Sequence, residues 1–135
     1  TIYDAVKKVA DVKNVLLSTG GCSWFHAIIQ IKKKNPDDGM KAALEAFKGH
    51  GSLKHAVAVD EDIDIDDPQE VEWAIATRMQ AKKDVQIFEG KGSSLDCTAM
   101  CEPGSDRKIT SKVAVDATIP AGLDPKDFEK ANLGG

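Results

Sequence analysis

At 135 residues, 41% hydrophobic and 30% charged, the chain has the length and composition of one folded domain with its own core. Its formal net charge of −4 and small aromatic complement, two Trp, one Tyr and four Phe, argue against a nucleic-acid or anionic-membrane surface. No apolar run approaches the ~20 residues that span a bilayer, no leader pattern opens the chain, and three cysteines are too few for a disulfide scaffold. A soluble, cytoplasmic protein is the expectation.

Tyr3 to Val9 space apolar groups as a short helix does, with Thr1 as its cap. A helix at the first residue makes the chain look trimmed from something longer. Val12–Leu17 reads as a strand, and Ser18-Thr19-Gly20-Gly21 as a tight turn into a second helix, Cys22 to Lys34. That segment is apolar nearly all round (Trp24, Phe25, Ala27, Ile28, Ile29, Ile31), and Lys32-Lys33-Lys34 suits a helix C-terminus. Asn35-Pro36-Asp37-Asp38 starts a third helix, with Met40, Ala43, Leu44 and Phe47 on one stripe and Gly49-His50-Gly51 ending it.

Leu53–Val59 is a second strand, apolar on both faces as in a parallel sheet. The chain then turns acidic at Asp60, Glu61, Asp62, Asp64, Asp66 and Asp67 before Pro68 opens a fourth helix running to about Ala81. Asp67 and Glu70 have the spacing of a capping box. Asp84–Glu89 is a third strand and Ser111–Thr118 a fourth. Between them Gly90–Thr110 is a long irregular segment, and such segments are usually functional or mobile. A short helix starts at Asp124-Pro125, and Leu133-Gly134-Gly135 frays. Strand, crossing and helix make βα units, so the pattern predicts a three-layer α/β/α sandwich. Its sheet is mostly parallel or mixed, with four to five strands, in a single domain over residues 1–135.

The acidic run could hold a divalent ion, but it lacks the glycine and distal Glu of a calcium loop. The preferred reading makes Asp66 and Asp67 helix caps and leaves the other carboxylates facing water. Gly20-Gly21 carries neither a dinucleotide fingerprint nor a P-loop lysine, and reads as a βα turn without ligand. Cys97 and Cys101 form C-x₃-C, not a zinc spacing, with Cys22, His26, His50 and His55 elsewhere. His26 reads as a hydrogen-bonded core or interface histidine, and Arg78 as the partner of a carboxylate. No catalytic set and no metal ligand emerges from the residues alone.

The stretches Lys54–Pro68, Val71–Arg78 and Asp84–Ile87 closely resemble the C-terminal domain of the UbiD-like decarboxylases, the family of 3-octaprenyl-4-hydroxybenzoate carboxy-lyase. Gly20–Ile31, Lys91–Asp96 and Lys112–Thr118 fit the same family in the same order. The resemblance implies a non-oxidative, reversible decarboxylase of aromatic or α,β-unsaturated acids. It implies prenylated FMN held with a divalent metal, Mn or Mg, and with K, all bound by an N-terminal flavin-binding domain. The present chain by itself is then expected to be colourless and inactive.

The C-terminal domain of such an enzyme covers the substrate pocket and joins in homo-oligomer contacts. By motif, the pocket segment is Gly92, Ser93, Ser94, Leu95 and Asp96. Leu95 offers an apolar wall; Ser93 and Ser94 leave room or a hydrogen bond. Aromatic-acid members place bulkier residues there, which puts an aromatic substrate in doubt. The alternative is a free-standing subunit that completes a separate catalytic chain.

Overall fold

The computed structural model describes residues 1–101, 103–105 and 107–129. Its strands are β1 (Asp11–Leu17), β2 (His26–Lys32), β3 (His55–Asp60), β4 (Val85–Lys91), β5 (Met100–Cys101) and β6 (Lys108–Asp116). Its helices are α1 (Ile2–Val6), α2 (Asp38–Gly49), α3 (Pro68–Arg78) and α4 (Ala81–Asp84), followed by a 3₁₀ turn at Pro125–Phe128. Among the described residues the six strands form one mixed sheet ordered β1-β2-β3-β6-β4, with β5 paired to the start of β6. β2, β3 and β6 run parallel, and β1 and β4 flank them antiparallel. α1 and α2 cover one face and α3 the other, which gives the expected three layers.

The sheet exceeds the expected four to five strands because residues 26–32 are a strand and not a helix and Met100–Cys101 adds a short sixth. An apolar run buried on both sides carries no periodicity that separates the two. Ile28, Ile29 and Ile31 are β-branched and tip the segment to a strand. Ala27, Ile29 and Ile31 face α2, while Ile28 faces α3. Consequently Gly20-Gly21 lies in a ββ connection between antiparallel neighbours, and not in a βα turn. The long segment after β4 is also less irregular than expected, since β5 and the start of β6 lie within it. The expected fraying at Leu133–Gly135 lies outside the described residues.

Helix ends correct three further expectations. α2 begins after Asp37, and Asn35 is not its cap; instead Asp38 turns back to accept the Lys34 and Asn35 N–H groups, both at 2.9 Å. Asp67 caps α3 by accepting from the Gln69 N–H, but Glu70 accepts from the Asp64 N–H and closes no capping box. Asp66 does not cap; its own N–H donates to Asp64.

Small residues set the spacing of the α2 layer. Ala42, Ala43 and Ala46 meet Ala27, Ala56, Ala58 and Ala114 of the sheet, all fully buried, so helix and sheet backbones approach closely. At the α2 C-terminus the Lys112 ammonium donates to the Gly51 carbonyl at 2.9 Å and lies over the Phe47 ring, and burial lowers its pKa. A cation there faces the negative end of the helix dipole.

The acidic run is organised by Arg78, which is 1% exposed at the end of α3. Its guanidinium donates to Asp60 at 3.1 Å, to both Asp62 oxygens at 2.9 and 2.8 Å, and to the Phe128 carbonyl at 2.8 Å. Asp60 also accepts the Ile119 N–H at 2.7 Å, which ties the end of β3 to the chain beyond β6. Asp60 and Asp62 therefore do not simply face water, whereas the pairing expected of Arg78 is present. Burial pushes the Asp60 carboxyl above its usual range, against the Ile119 N–H and Arg78.

Removing one partner of a buried pair leaves the other charge uncompensated. Arg78→Ala is expected to lower the unfolding free energy by about 3–5 kcal/mol in urea titration. A loss below about 1 kcal/mol would mean that water replaces the guanidinium without penalty.

Candidate functional site

Three segments converge where the parallel strands begin: the Ser18–Phe25 connection, the first residues of β3, and the loop that follows β4. β2 and β3 start in register with His26 opposite His55. Their Nδ1 atoms lie 3.3 Å apart with the rings edge to face, so one nitrogen donates and the other accepts. Burial, then the neighbouring His55, lowers the His26 pKa. Burial, then Lys54, lowers that of His55 against the opposing pull of Asp96. His26 is thus the hydrogen-bonded histidine expected, at a strand start and not on a helix.

The Ser18–Phe25 connection is held by its own backbone. Gly21 N–H donates to the Ser18 carbonyl and hydroxyl at 3.1 and 3.2 Å, and the Phe25 carbonyl accepts both Lys54 N–H and His55 N–H at 2.8 and 2.9 Å. A Cβ on Gly21 would sit 2.3 Å from His26 Cβ, so only glycine lets the turn fold over the strand start. Cys22 and Ser23 follow with φ of 61° and 51°, both left-handed.

The Gly92–Asp96 loop sits beside this turn. Gly92 N–H donates to the Lys108 carbonyl at 2.9 Å, and a Cβ there would press on Ala99 and Lys108 at 3.1 and 3.3 Å. Ser93 Oγ accepts from the Leu95 N–H, and the Asp96 N–H closes a turn onto the Ser93 carbonyl, each at 3.1 Å. Leu95 is left 66% exposed, whereas Asp96 is 4% exposed. The Asp96 carboxylate accepts the Thr98 N–H at 3.0 Å, the Thr98 hydroxyl at 2.7 Å and the Thr110 hydroxyl at 2.8 Å. Lys54 Nζ pairs with it at 3.0 Å. Burial alone would raise its pKa, but the hydrogen bonds from Thr98, Lys54 and Thr110 outweigh burial and hold it well below the usual carboxylate range. Between loop and turn lies a cleft of about 450 Å³ with Trp24 and Leu95 among its walls.

The structure brings all five motif residues, Gly92 to Asp96, into one turn. His26 and His55 lie beside it at the strand starts, Cys22 in the Ser18–Phe25 turn, and Cys97 directly after Asp96. Asp60 and Asp62 lie beyond the opposite ends of the parallel strands, whereas Asp66 lines a cavity with Ser18, Thr19, Gly20 and His26, and Cys22, Cys97 and Cys101 are exposed free thiols. Among the described residues no three His, Cys, Asp or Glu side chains converge to hold a metal ion. The described residues thus do not fit the divalent ion that the resemblance implies. Sequence reasoning missed the His26–His55 pair and the roles of Lys54, Thr98 and Thr110. One signal was available: His26-Ala27-Ile28-Ile29 and His55-Ala56-Val57-Ala58 begin alike, as parallel strands in register can.

Residues 1–117 match the family described as the 3-octaprenyl-4-hydroxybenzoate carboxy-lyase C-terminal domain. The chain belongs to that family. It is 49% identical to the anhydromevalonate phosphate decarboxylase of Methanocaldococcus jannaschii over 128 residues, 93% of this chain and 29% of that protein. The Methanothermobacter thermautotrophicus protein of the same name is 50% identical over 121 residues, 88% of this chain and 27% of that protein. Among solved structures, a UbiD-class enzyme from Pelotomaculum thermopropionicum in complex with FMN superposes with a TM-score of 0.86 at 40% identity, covering 99% of this chain and 29% of that one. The chain thus spans less than a third of the length of the proteins it matches. Among the described residues no helix is long and apolar enough to cross a membrane.

A carboxyl whose folded pKa lies below its unfolded value near 3.9 stabilises fully above that value, and the contribution fades as pH falls towards the folded one. The stability difference between the wild type and Asp96→Asn is therefore expected to be constant from about pH 7 to 5 and to shrink below about pH 4. Urea titrations at several pH values read it directly. A difference independent of pH down to about 2.5 would contradict the assigned role.

Proposed function

We infer that residues 1–135 form one domain, the C-terminal part of a cytoplasmic, homo-oligomeric decarboxylase. An N-terminal portion supplies prenylated FMN, with its divalent metal and K, and the reacting groups. The substrate we assign is a non-aromatic, α,β-unsaturated acid carrying a phosphate, of the kind named in the anhydromevalonate phosphate decarboxylases. Identity near one half over about nine-tenths of the chain to two proteins of that name supports this reading.

The observation that carries the chain's own role is the Gly92–Asp96 turn. A leucine two-thirds exposed on a loop whose other end is a buried, multiply bonded carboxylate is a wall held in place without being buried itself. Such a wall excludes water from one side of a substrate and orients its hydrocarbon part. The serines before it leave the space that a planar aromatic acid would need filled by stacking. In this reading no residue of the chain moves a proton or forms a bond to substrate; the chain positions and encloses.

In the full-length parent loaded with its cofactor, Leu95→Ala is expected to lower kcat/KM on the phosphorylated unsaturated acid by about tenfold. The melting temperature should stay unchanged, because the side chain lies mostly in water. Parallel losses of stability and activity would overturn the wall assignment. Turnover of aromatic acids in preference to the phosphorylated one would overturn the substrate.

A further inference from the structure

The cleft between Trp24 and Leu95 carries a charge pattern at odds with the chain as a whole. The protein is acidic, with a formal net charge of −4, yet Lys91, Arg107 and Lys108 all line this one cleft. Among the described residues its lining contains no carboxylate. Asp96, next to Leu95 in the sequence, is directed into Lys54, Thr98 and Thr110 and away from the cleft.

The backbone brings the two lysines together. β4 and β6 pair antiparallel with Lys91 opposite Ile109, so Lys91 and Lys108 sit at the adjoining ends of neighbouring strands. Gly92 keeps the loop pressed against Lys108, as its bond to the Lys108 carbonyl requires. Among the described residues Lys108 Nζ reaches the Ser94 carbonyl, at a long 3.4 Å, with one of its three N–H donors. Lys91 is exposed and has no ion-pair partner among the described residues. The hydroxyls of Ser52 and Ser94 line the same cleft. Two lysines and two serines lining one cleft beside an apolar wall suit a compact dianion attached to a short hydrocarbon.

We propose that Lys91 and Lys108 bind the phosphate ester of the substrate, with Ser94 as a further donor and Trp24 and Leu95 enclosing the carbon chain. This deepens the functional reading above and rests on it. The phosphate of the flavin carries the same chemistry, so the test separates the two sources.

The experiment uses the full-length parent loaded with its cofactor. It compares kcat/KM for anhydromevalonate phosphate with that for the same acid lacking the phosphate. In Lys91→Met and Lys108→Met this preference is expected to fall by about 10- to 100-fold, mainly through KM, the size of a lost hydrogen bond to a charged group. Lys82→Met, on the distant α4, serves as the control and should keep the wild-type preference. Flavin absorbance per chain should be unchanged in all three. Unchanged preference in both cleft variants would overturn the proposal while leaving the functional reading intact. Loss of flavin from them would overturn it by assigning the cleft to the cofactor. A parent that turns over neither acid would overturn the functional reading and this inference together. Melting temperatures identify any variant that fails for want of folding; in that event Ser94→Ala, with a smaller drop in the same preference, decides the matter.

Discussion

The Asp96 carboxylate is the constraint on which the candidate site depends. The loop that carries it is made of glycine, serines and one exposed leucine, with almost nothing apolar to bury. Hydrophobic packing cannot fix such a segment. A buried anion can, because an unpaired carboxylate in that position is costly and its donors come from fixed places. Thr98 lies on the same loop, Thr110 on β6, and Lys54 at the entrance to β3. One carboxylate therefore references the loop to two strands of the sheet, and Lys54 carries that reference on to the Ser18–Phe25 turn through its backbone bond to Phe25.

The two edges of the sheet have divided their roles. In open α/β sheets ligands ordinarily bind beyond the carboxyl ends of the parallel strands. Here that edge is closed by the protein itself: Arg78, Asp60, Asp62 and the Ile119 N–H fill the space beyond β3, and Lys33 donates to the Ile119 carbonyl at 2.8 Å. The opposite edge, where the strands begin, holds the histidine pair, the glycine turn and the cleft. The acidic run and the loop are thus complementary uses of buried carboxylates. One locks the scaffold, and the other fixes an exposed loop.

Much of the scaffold was legible because it is local. The stripe of α2, the Pro68 start of α3 and the apolar β3 are set by residues a few positions apart. What failed was of two kinds. Residues 26–32 are buried on both sides, so their pattern is silent on period, and only the β-branched isoleucines spoke for a strand. The site's partners failed for the other reason. Thr110 and Lys54 lie 14 and 42 positions from Asp96, and no spacing rule joins them before the sheet is assembled. The loop itself was found by family resemblance and not by its chemistry. Its motif gave the place, and the structure gave the reason that an exposed leucine can stay there.

Amide hydrogen exchange of the chain tests that reason most directly. With the carboxylate lock in place, the Thr98 and Leu95 N–H groups, bonded to Asp96 and Ser93, are protected in the wild type. In Asp96→Ala their protection is lost while the amides of β3 at Val57 and Val59 keep theirs. Thr98 exchanging freely in the wild type, or unchanged protection in the variant, would contradict a loop held by Asp96.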